Sequence, residues 1–286
     1  MGLIQSLGTK DAETSSSPGQ SVGLTTQASP GEAKGKITAA SLEDLVPGYA
    51  SLEAAHHTLP LQETEGRRLV IVGDVHGCAD ELDALLEKVD FKKDEDKLIF
   101  VGDLCAKGPK SLEVVRRAQE LKALGVRGNH DHYVILRIND GLYPEREHTK
   151  LAKDVLSKED LDWLKALPLT LHIEQYDTTV VHAGLKPGLD RTENSLDDML
   201  HMRNITDDGT ATSNPTEGKP WIELWKGPQK IIFGHDALRK LQRTDLVTGL
   251  DTGCVYGGSL SALLLPQGEI VEVKAHKVHQ EPGKKK

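Results

Sequence analysis

Short apolar runs and helix-type spacings alternate along the middle of the chain. Arg68–Val72 is a run of the buried-strand type, and four apolar residues between positions 82 and 89 then recur at the spacing of one helix face. The same patterns predict further strands at 97–101, 125–127, 169–173, 178–184, 230–235, 245–251, 260–265 and 270–273, and further helices at 111–121 and 157–167. Strands that alternate with helices and are followed by more strands indicate an α/β core that continues into a second sheet.

Serines mark the starts of two of these helices. Ser111 is expected to be an N-cap, and Ser157 stands three residues before Asp160, which is the spacing of a capping box. Pro168 follows the second helix, and proline is common just beyond a helix end. The sequence therefore predicts both ends of the 157–167 helix.

Side chains of the metal-binding types follow directly after five of the predicted strands. In chain order they are Asp74 with His76, then Asp103, then Asn129 with His130 and Asp131, then His182, and then His235. One such group is an ordinary turn. In an open α/β sheet, however, the ligand crevice lies outside the carboxyl ends of the strands. Five groups at five strand ends therefore predict one shared site.

This mixture of carboxylate, imidazole and amide groups suits borderline divalent ions. Mn, Fe, Zn and Co are the expected ions, with Mg as a further candidate; an all-oxygen calcium cage or a thiolate zinc site would need other ligands. Six protein ligands exceed what one catalytic ion needs while it keeps an open position. Two ions, about 3.5–4 Å apart as in phosphoryl displacement, fit the set better.

The motifs at these strand ends resemble those of a known family. GDVHG, GD followed by KGP, GNHD, VHAG and GHDA are similar to motifs of the calcineurin-like metallophosphoesterases, within the phosphoprotein phosphatase superfamily. The similarity runs from about Arg68 to Val273. GHDA followed by Leu241 and Gln242, and LDTGCVYGG at Leu250–Gly258, resemble the eukaryotic ApaH-like phosphatases, relatives of bacterial diadenosine tetraphosphatases. The resemblance implies a four-layer αββα sandwich with a dimetal site at the strand C-terminal ends.

The resemblance also implies a role for each site residue. Six residues would be metal ligands: Asp74 and His76 on the first ion, Asp103 bridging both, and Asn129, His182 and His235 completing the second. His130 would be the general acid for the leaving oxygen, and a metal-bridging hydroxide would attack phosphorus in line. Arg127 and, as a weaker candidate, Arg203 would grip the phosphate, and Tyr256 would border the pocket.

Two residues between Asp103 and Pro109 depart from the protein phosphatases of the superfamily. Lys107 stands where those enzymes carry arginine, so we expect it to face the substrate phosphate. Lysine is a flexible point charge and arginine a planar fork, so lysine suits a chain of phosphates as well as a single phosphoester. Ala106 replaces an aspartate that orients the catalytic histidine, which leaves Asp131 or a water molecule for that task.

The leading hypothesis is therefore a dimetal hydrolase of phosphoanhydride bonds. Its expected substrates are a dinucleoside polyphosphate, the 5′ cap of messenger RNA, or inorganic polyphosphate. A protein serine/threonine phosphatase is the first alternative, although AKGP stands here in place of DRG. A non-catalytic scaffold on a phosphoesterase fold is the second, although all six ligand positions are filled.

Charge, cysteines and the first residues bear on partners and location. The net charge of −9 argues against binding to DNA or to nucleic acid in general. Three cysteines without a CxxC pair favour a reducing compartment and so a cytoplasmic protein. Gly2 fits the myristoylation pattern, and a single acyl chain would give at most weak, reversible membrane contact. The oligomeric state is left open.

Composition divides the chain into three parts. Residues 1–65 are rich in Ser, Thr, Gly, Ala and Pro and are expected to be disordered, with partial packing from residue 41. Residues 66–275 form the phosphoesterase domain, and residues 276–286 a disordered basic tail.

Overall fold

A computed structural model describes residues 49–138 and 146–283 of the chain. Its strands are β1 His56–Leu59, β2 Arg68–Val72, β3 Asp96–Phe100, β4 Leu124–Gly125, β5 Thr170–Ile173, β6 Thr178–Val181, β7 Asn204–Ile205, β8 Ala211–Thr212, β9 Lys219–Pro220, β10 Lys230–Phe233, β11 Gln242–Arg243, β12 Val247–Gly249, β13 Ser259–Leu265 and β14 Glu269–Lys274. None of the helices within those two ranges is long and apolar enough to cross a membrane. Gly2 lies outside the described residues.

The helices of the same residues are short. They are α1 Leu52–Ala55, α2 Leu61–Thr64, α3 Ala79–Lys88, α4 Ser111–Glu120, α5 Asn129–Leu136, α6 Glu147–Lys150, α7 Lys158–Ala166, α8 Leu196–His201 and α9 Trp221–Leu224. A π-helical turn at Leu151–Val155 continues α6, and 3-10 turns lie at Glu174–Tyr176, Arg191–Glu193 and Cys254–Tyr256.

Two sheets carry the core. One has five strands in the order β14-β13-β2-β3-β4, with β2, β3 and β4 parallel and β13 antiparallel to β2. The other has six strands in the order β1-β5-β6-β10-β12-β11, with β6, β10 and β12 parallel. A small third sheet pairs β8, β7 and β9. The second sheet expected from the sequence is therefore present.

Successive side chains of each strand point to opposite faces of its sheet, and the two faces pack against different layers. In β2, Leu69 and Ile71 point between the two sheets, whereas Val70 and Val72 pack with residues of α3, α4 and α7. In the six-stranded sheet, Ile232 belongs to the cluster between the sheets, and its neighbours in β10 pack on the other side, with residues of α8 and α9. Helices thus cover both outer faces, which confirms the four-layer αββα architecture.

Of the two serines predicted to begin helices, Ser157 caps its helix and Ser111 does not. The capping box of α7 is present, because the Ser157 hydroxyl accepts from the Asp160 N–H and the Asp160 carboxylate accepts from the Ser157 N–H. Ser111, by contrast, is the first helical residue of α4, and Lys110 is the N-cap. The Ser111 hydroxyl instead accepts from the Ala106 N–H, so it holds the preceding loop in place.

Described residues on both sides of the predicted domain, 66–275, pack onto it, and for the N-terminal side the expectation allowed such packing from residue 41. Residues 49–65 include β1, which pairs in parallel with β5 and contributes the buried side chain of Leu59 to the cluster between the sheets. The segment 276–283 is attached to the domain. There the His276 N–H donates to the Glu81 carboxylate, and the His279 N–H donates to the Val255 carbonyl. Residues 1–48 and 284–286 lie outside the described residues.

Candidate metal centre

Five strand ends bring the six expected metal ligands to one place. Asp74 and His76 follow β2, Asp103 follows β3, Asn129 opens α5 after β4, His182 follows β6, and His235 follows β10. Three of these strands belong to the five-stranded sheet and two to the six-stranded sheet. The cluster therefore lies at the carboxyl ends of strands from both sheets, as the ligand crevice of an α/β sheet does.

The Asp103 carboxylate faces both halves of this cluster. Its Oδ2 lies 3.3 Å from His76 Nε2, and its Oδ1 lies 3.5 Å from His182 Nε2. Ligand atoms of Asp74, His76 and Asp103 all lie within 4.8 Å of one another. In the other half, Asn129 Oδ1 lies 3.0 Å from His182 Nε2 and 3.1 Å from His235 Nδ1. This is the arrangement that a bridging carboxylate between two ions requires.

Backbone carbonyls fix the orientation of the three histidines. The ring nitrogens of His76 and His182 that face away from the cluster lie 3.1 and 2.9 Å from the carbonyls of Cys105 and Val101. In His235, Nε2 lies 3.1 Å from the His201 carbonyl. A carbonyl only accepts, so each of these nitrogens carries the proton, and the other nitrogen turns its lone pair to the cluster.

The donor set fits divalent cations. With these tautomers, the lone pairs of His182 and His235 face the side-chain oxygen Oδ1 of Asn129 at hydrogen-bond distance, with no proton between them. The lone pairs repel one another, and a cation bound among them would remove this repulsion. Burial, together with Asp251 and Asp103, raises the pKa of Asp74 well above its ordinary value. Burial also raises the pKa of Asp103 to about 6 and lowers the pKa of His182 to about 4. Buried carboxylates beside neutral imidazoles are the state that a metal ion stabilises.

The backbone is strained where it presents these ligands. His76, Asp103 and His235 have φ of 47°, 53° and 66°, in the left-handed region that non-glycine residues rarely adopt. Two glycines let the chain approach the ligands closely. A Cβ on Gly234 would lie 2.0 Å from Asp74 Oδ1, and one on Gly128 would lie 2.2 Å from Asp103 Oδ1. No residue with a side chain fits at either position without moving a ligand.

Lys107 and Tyr256 lie together at the edge of the cluster. The Lys107 ammonium is 2.8 Å from His76 Nε2, the nitrogen whose lone pair faces the cluster, and 5.4 Å from the Tyr256 ring centroid. The ammonium thus occupies a place beside His76 that suits a cation. A cavity of about 600 Å³ opens here, lined by Lys107, His130, Tyr133, Arg137, Arg146, Glu147, His148, Tyr256, Gln280 and Gly283.

His130 has a partner that the sequence did not reveal. Its Nδ1 lies 2.9 Å from His148 Nε2, and its backbone N–H donates to Asp103 Oδ1 at 2.8 Å. Asp131 is occupied elsewhere, since its carboxylate accepts backbone N–H groups of the 103–105 turn and of Gly128. The expectation that Asp131 could orient His130 is therefore not met. His148 follows no predicted strand, so no sequence pattern pointed to it.

The structure does not bring Arg127 to the cluster. Its side chain is fully buried, stacks over the Tyr49 ring with its Cζ 4.2 Å from the centroid, and donates to the Lys165 carbonyl. These contacts hold the guanidinium away from the metal ligands. The expectation that Arg127 binds the substrate phosphate is therefore corrected: Arg127 connects the end of β4 to Tyr49 and α7.

Arg203 lies on the other side of the cluster, next to His235. It donates to the His235 carbonyl at 3.3 Å and to the Ser213 carbonyl at 3.2 Å, and its Nε is 3.6 Å from an oxygen of buried Asp236. The guanidinium N–H groups of Arg203 are therefore directed to neighbouring protein groups. Arg203 therefore supports the loop that carries His235, and a direct phosphate contact would need its side chain to turn.

Comparison with known proteins agrees with this geometry. The family model for calcineurin-like phosphoesterases matches residues 67–268. The symmetrical bis(5′-nucleosyl)-tetraphosphatase of Psychromonas ingrahamii is 34% identical to this chain, over 68% of this chain and 91% of the relative. The enzyme of the same name from Coxiella burnetii is 31% identical, over 71% of this chain and 90% of the relative. A crystal structure described as a candidate diadenosine tetraphosphatase is 39% identical, with a TM-score of 0.69, and covers 76% of this chain and 96% of that one. The chain belongs to the calcineurin-like phosphoesterase family and is a metal-dependent hydrolase.

Proposed function

We propose that this protein hydrolyses dinucleoside polyphosphates and cleaves diadenosine tetraphosphate symmetrically into two molecules of ADP. The observation that carries the proposal is the buried Asp, His and Asn cluster with the Lys107 ammonium beside it, at the mouth of a cavity lined by further cations. The symmetrical tetraphosphatases of Psychromonas ingrahamii and Coxiella burnetii support the choice of substrate, since this chain spans about nine-tenths of each.

Two ions would be held by residues that the strands already bring together. Asp74 and His76 would hold one, Asn129, His182 and His235 the other, and Asp103 both. When bound, such ions polarise the phosphoryl group and supply a nucleophile at neutral pH. We propose Mn²⁺ as the activating ion, because the carboxylate and amide oxygens of Asp74, Asp103 and Asn129 suit it.

Lys107 would bind the phosphate chain at the cluster. Its ammonium already lies against His76, and Arg137 and Arg146 line the same cavity. Several cations beside a metal centre match a chain of phosphates better than a single phosphoester. The Tyr256 ring beside Lys107 would border the same path.

His130 would protonate the leaving oxygen. Burial and the charge of Lys107 hold the pKa of His130 well below its ordinary value, so the ring would become an acid only when the negative phosphate chain binds and raises that pKa. Its Nδ1–H would then donate to His148 Nε2, and the proton on Nε2 would face the leaving oxygen. The oxygen of water would bond to one inner phosphorus, the bridging P–O bond to the other inner phosphate would break, and the departing ADP would take the proton.

The test is a substrate panel with purified protein and Mn, Co, Zn or Mg. It holds diadenosine tetraphosphate, capped RNA, inorganic polyphosphate and a phosphoserine peptide, with Asp103→Asn as the control that removes the bridging charge. We expect ADP as the only nucleotide product from the tetraphosphate, and no turnover by the control. ATP with AMP would refute symmetric cleavage. Preference for capped RNA or polyphosphate would reassign the substrate, and preference for the peptide would reject the anhydride proposal.

We further propose a cytoplasmic location, on the strength of the three buried free cysteines. Myristoylation at Gly2 stays a prediction, tested by mass spectrometry of the N-terminal peptide from protein made with and without an N-myristoyltransferase. An unmodified peptide in both samples would reject it.

A further inference from the structure

A second cluster of metal-binding side chains lies on the helical side of the five-stranded sheet. Cys78 directly precedes α3, Glu81 lies in the first turn of α3, and Cys254 opens the 3-10 turn Cys254–Tyr256. One ligand atom from each lies within 4.8 Å of the others. All three side chains are buried, each about 1% exposed. None of them belongs to the centre described above.

Glu81 carries a carboxylate oxygen that has no partner. Its Oε1 accepts from the His276 N–H at 3.0 Å and lies 2.8 Å from His279 Nε2. Its Oε2 is buried and makes no hydrogen bond to any described residue. Burying an unpaired carboxylate oxygen is costly, so such a group usually meets a cation or a donor.

The two thiols are poor partners for that oxygen as they stand. Cys78 Sγ points to the His76 carbonyl at 3.8 Å, a weak contact. The hydrogen bond from Cys78, together with burial, raises the pKa of Cys254, so Cys254 is not a reactive thiolate exposed for catalysis. Two adjacent buried sulfurs and an unpaired carboxylate are instead the donor types of a closed zinc site.

The spacing of the donors agrees with one shared ion. Sulfurs at about 2.3 Å and a carboxylate oxygen at about 2.1 Å around a tetrahedral zinc lie about 3.5–4 Å from one another. The three donor atoms here already lie within 4.8 Å, so small side-chain movements would close the site. His279 lies outside this group, and its Nε2, which lies 2.8 Å from Glu81 Oε1, would have to leave that oxygen to serve as a fourth donor.

We propose that Cys78, Cys254 and Glu81 bind one thiophilic divalent cation, with His279 as the fourth ligand. The site is buried and would keep no open position, so the ion is structural. It joins the loop after His76, the start of α3, the turn at 254–256 and the C-terminal segment at 276–283. The proposal uses no residue of the catalytic cluster and stands whether or not the proposed function does.

Cobalt reports on this site separately, because the catalytic ligands include no sulfur. The full-length protein is loaded with Co²⁺, and the near-ultraviolet thiolate-to-cobalt charge-transfer band is recorded while zinc content is measured on a zinc-grown sample. We expect the band to saturate at one thiolate-bound ion per chain. Cys254→Ser should remove most of the band and one equivalent of zinc, and His279→Ala should weaken cobalt binding.

Two control variants test whether the charge-transfer band arises from this site alone. Cys105→Ser changes the third buried cysteine, which lies outside the cluster, and Asp103→Asn changes the catalytic centre; both should keep the band. Absence of a charge-transfer band in the wild-type protein would overturn the proposal even if a variant fails to fold. So would a band that survives Cys254→Ser, or a Cys78–Cys254 disulfide found by mass spectrometry in protein prepared without oxidant.

Discussion

At the scale of single residues, we propose that Lys107 links the metal cluster to the substrate. Its left-handed backbone, with φ of 67°, turns the ammonium onto His76 Nε2 at 2.8 Å. A positive charge held there stabilises negative charge that develops on the transferred phosphoryl group. We predict that Lys107→Ala lowers kcat/KM for diadenosine tetraphosphate about 10²–10³-fold, as loss of one preorganised donor does. Lys107→Arg should keep more activity, because the charge remains.

Lys110→Ala is the matched control for this prediction. Lys110 lies three residues further along the same loop, is partly exposed, and pairs with Asp80 at the surface. Its removal should leave kcat/KM within about twofold of the wild type, because exposed ion pairs contribute little. Equal rates for Lys107→Ala and wild type would contradict the proposed role of Lys107.

His148 is predicted to act as a positioning residue. It holds His130 through the 2.9 Å contact between their ring nitrogens, where the protein phosphatases of the superfamily use an aspartate that is here Ala106. We expect His148→Ala to lower kcat about 10–100-fold, the usual cost of losing such a supporting contact, with KM unchanged. Steady-state kinetics measure the two constants separately.

Rescue distinguishes positioning from a general effect on folding. His148→Gln offers an amide to His130 Nδ1 and should recover part of kcat. His172→Ala removes a half-buried histidine of β5 that bonds to Thr179 and does not line the cavity, and it should leave kcat unchanged. A rise in KM with kcat intact would show that His148 binds substrate instead.

At the scale of elements, the junction of each strand with its loop sets the ligand geometry. Gly234 follows β10 without a positive φ, so crowding alone forbids a side chain there: its Cβ would lie 2.0 Å from Asp74 Oδ1. We predict that Gly234→Ala weakens Mn²⁺ binding at least tenfold by titration calorimetry, because the Asp74 carboxylate must move.

Gly188→Ala separates crowding from backbone strain. Gly188 has φ of 86°, and a Cβ added there would meet nothing within 4 Å, so the substitution strains the chain without touching a ligand. It should lower the free energy of unfolding by about 1 kcal/mol and leave metal affinity unchanged. Wild-type affinity in Gly234→Ala would mean that Asp74 is not held as described.

Long, uniform patterns made most of the strands predictable. The apolar run at β2 matches Arg68–Val72 residue for residue, because a buried strand needs no polar residue. The strand β1, with the sequence HHTL, and the two-residue strands β7, β8, β9 and β11 showed no alternation to recognise. They form because a neighbouring strand offers backbone partners, which is tertiary information.

The same limit applies to the candidate site. Asp74, Asp103 and His235 could be placed together because each directly follows a strand and the ends of strands converge. The direction of a long side chain is not encoded in its position. Arg127 lies two residues before Asn129 yet turns to Tyr49 and Lys165, whereas His148, eighteen residues after His130, returns to meet it.

At the scale of the whole molecule, metal binding and stability are coupled. Burial and Asp103 raise the folded-state pKa of Asp131 to about 7, and burial raises that of Asp103 to about 6, above ordinary values near 4. Their protonated forms contribute stability that is fully present below pH 4 and is lost as pH rises through 6 to 7. These two carboxyls alone would therefore lower stability between about pH 4 and pH 7. The buried histidines oppose that trend: burial lowers the pKa of His182 to about 4, so its contribution rises as pH rises to about 6.5.

We predict that chelation lowers Tm more at pH 8 than at pH 6. Divalent ions compete with protons for Asp103, whose pKa is raised to about 6, so the ions bind more tightly at pH 8 and their removal lowers Tm more there. Differential scanning calorimetry with and without a chelator at the two pH values measures the effect. An equal Tm shift at both pH values would show that metal ions and protons do not compete for Asp103.

The most direct test of the account is a competition between two substrates in one reaction. Diadenosine tetraphosphate and a phosphoserine peptide are mixed with the Mn²⁺-loaded protein, and the ratio of their initial rates gives the ratio of kcat/KM values. The metal cluster, Lys107 and the cation-lined cavity predict that the tetraphosphate is preferred about 100-fold or more, since its binding uses several phosphates at about 1.4 kcal/mol for each factor of ten. A ratio at or below one would contradict the account, and would mean that this centre acts on phosphoproteins.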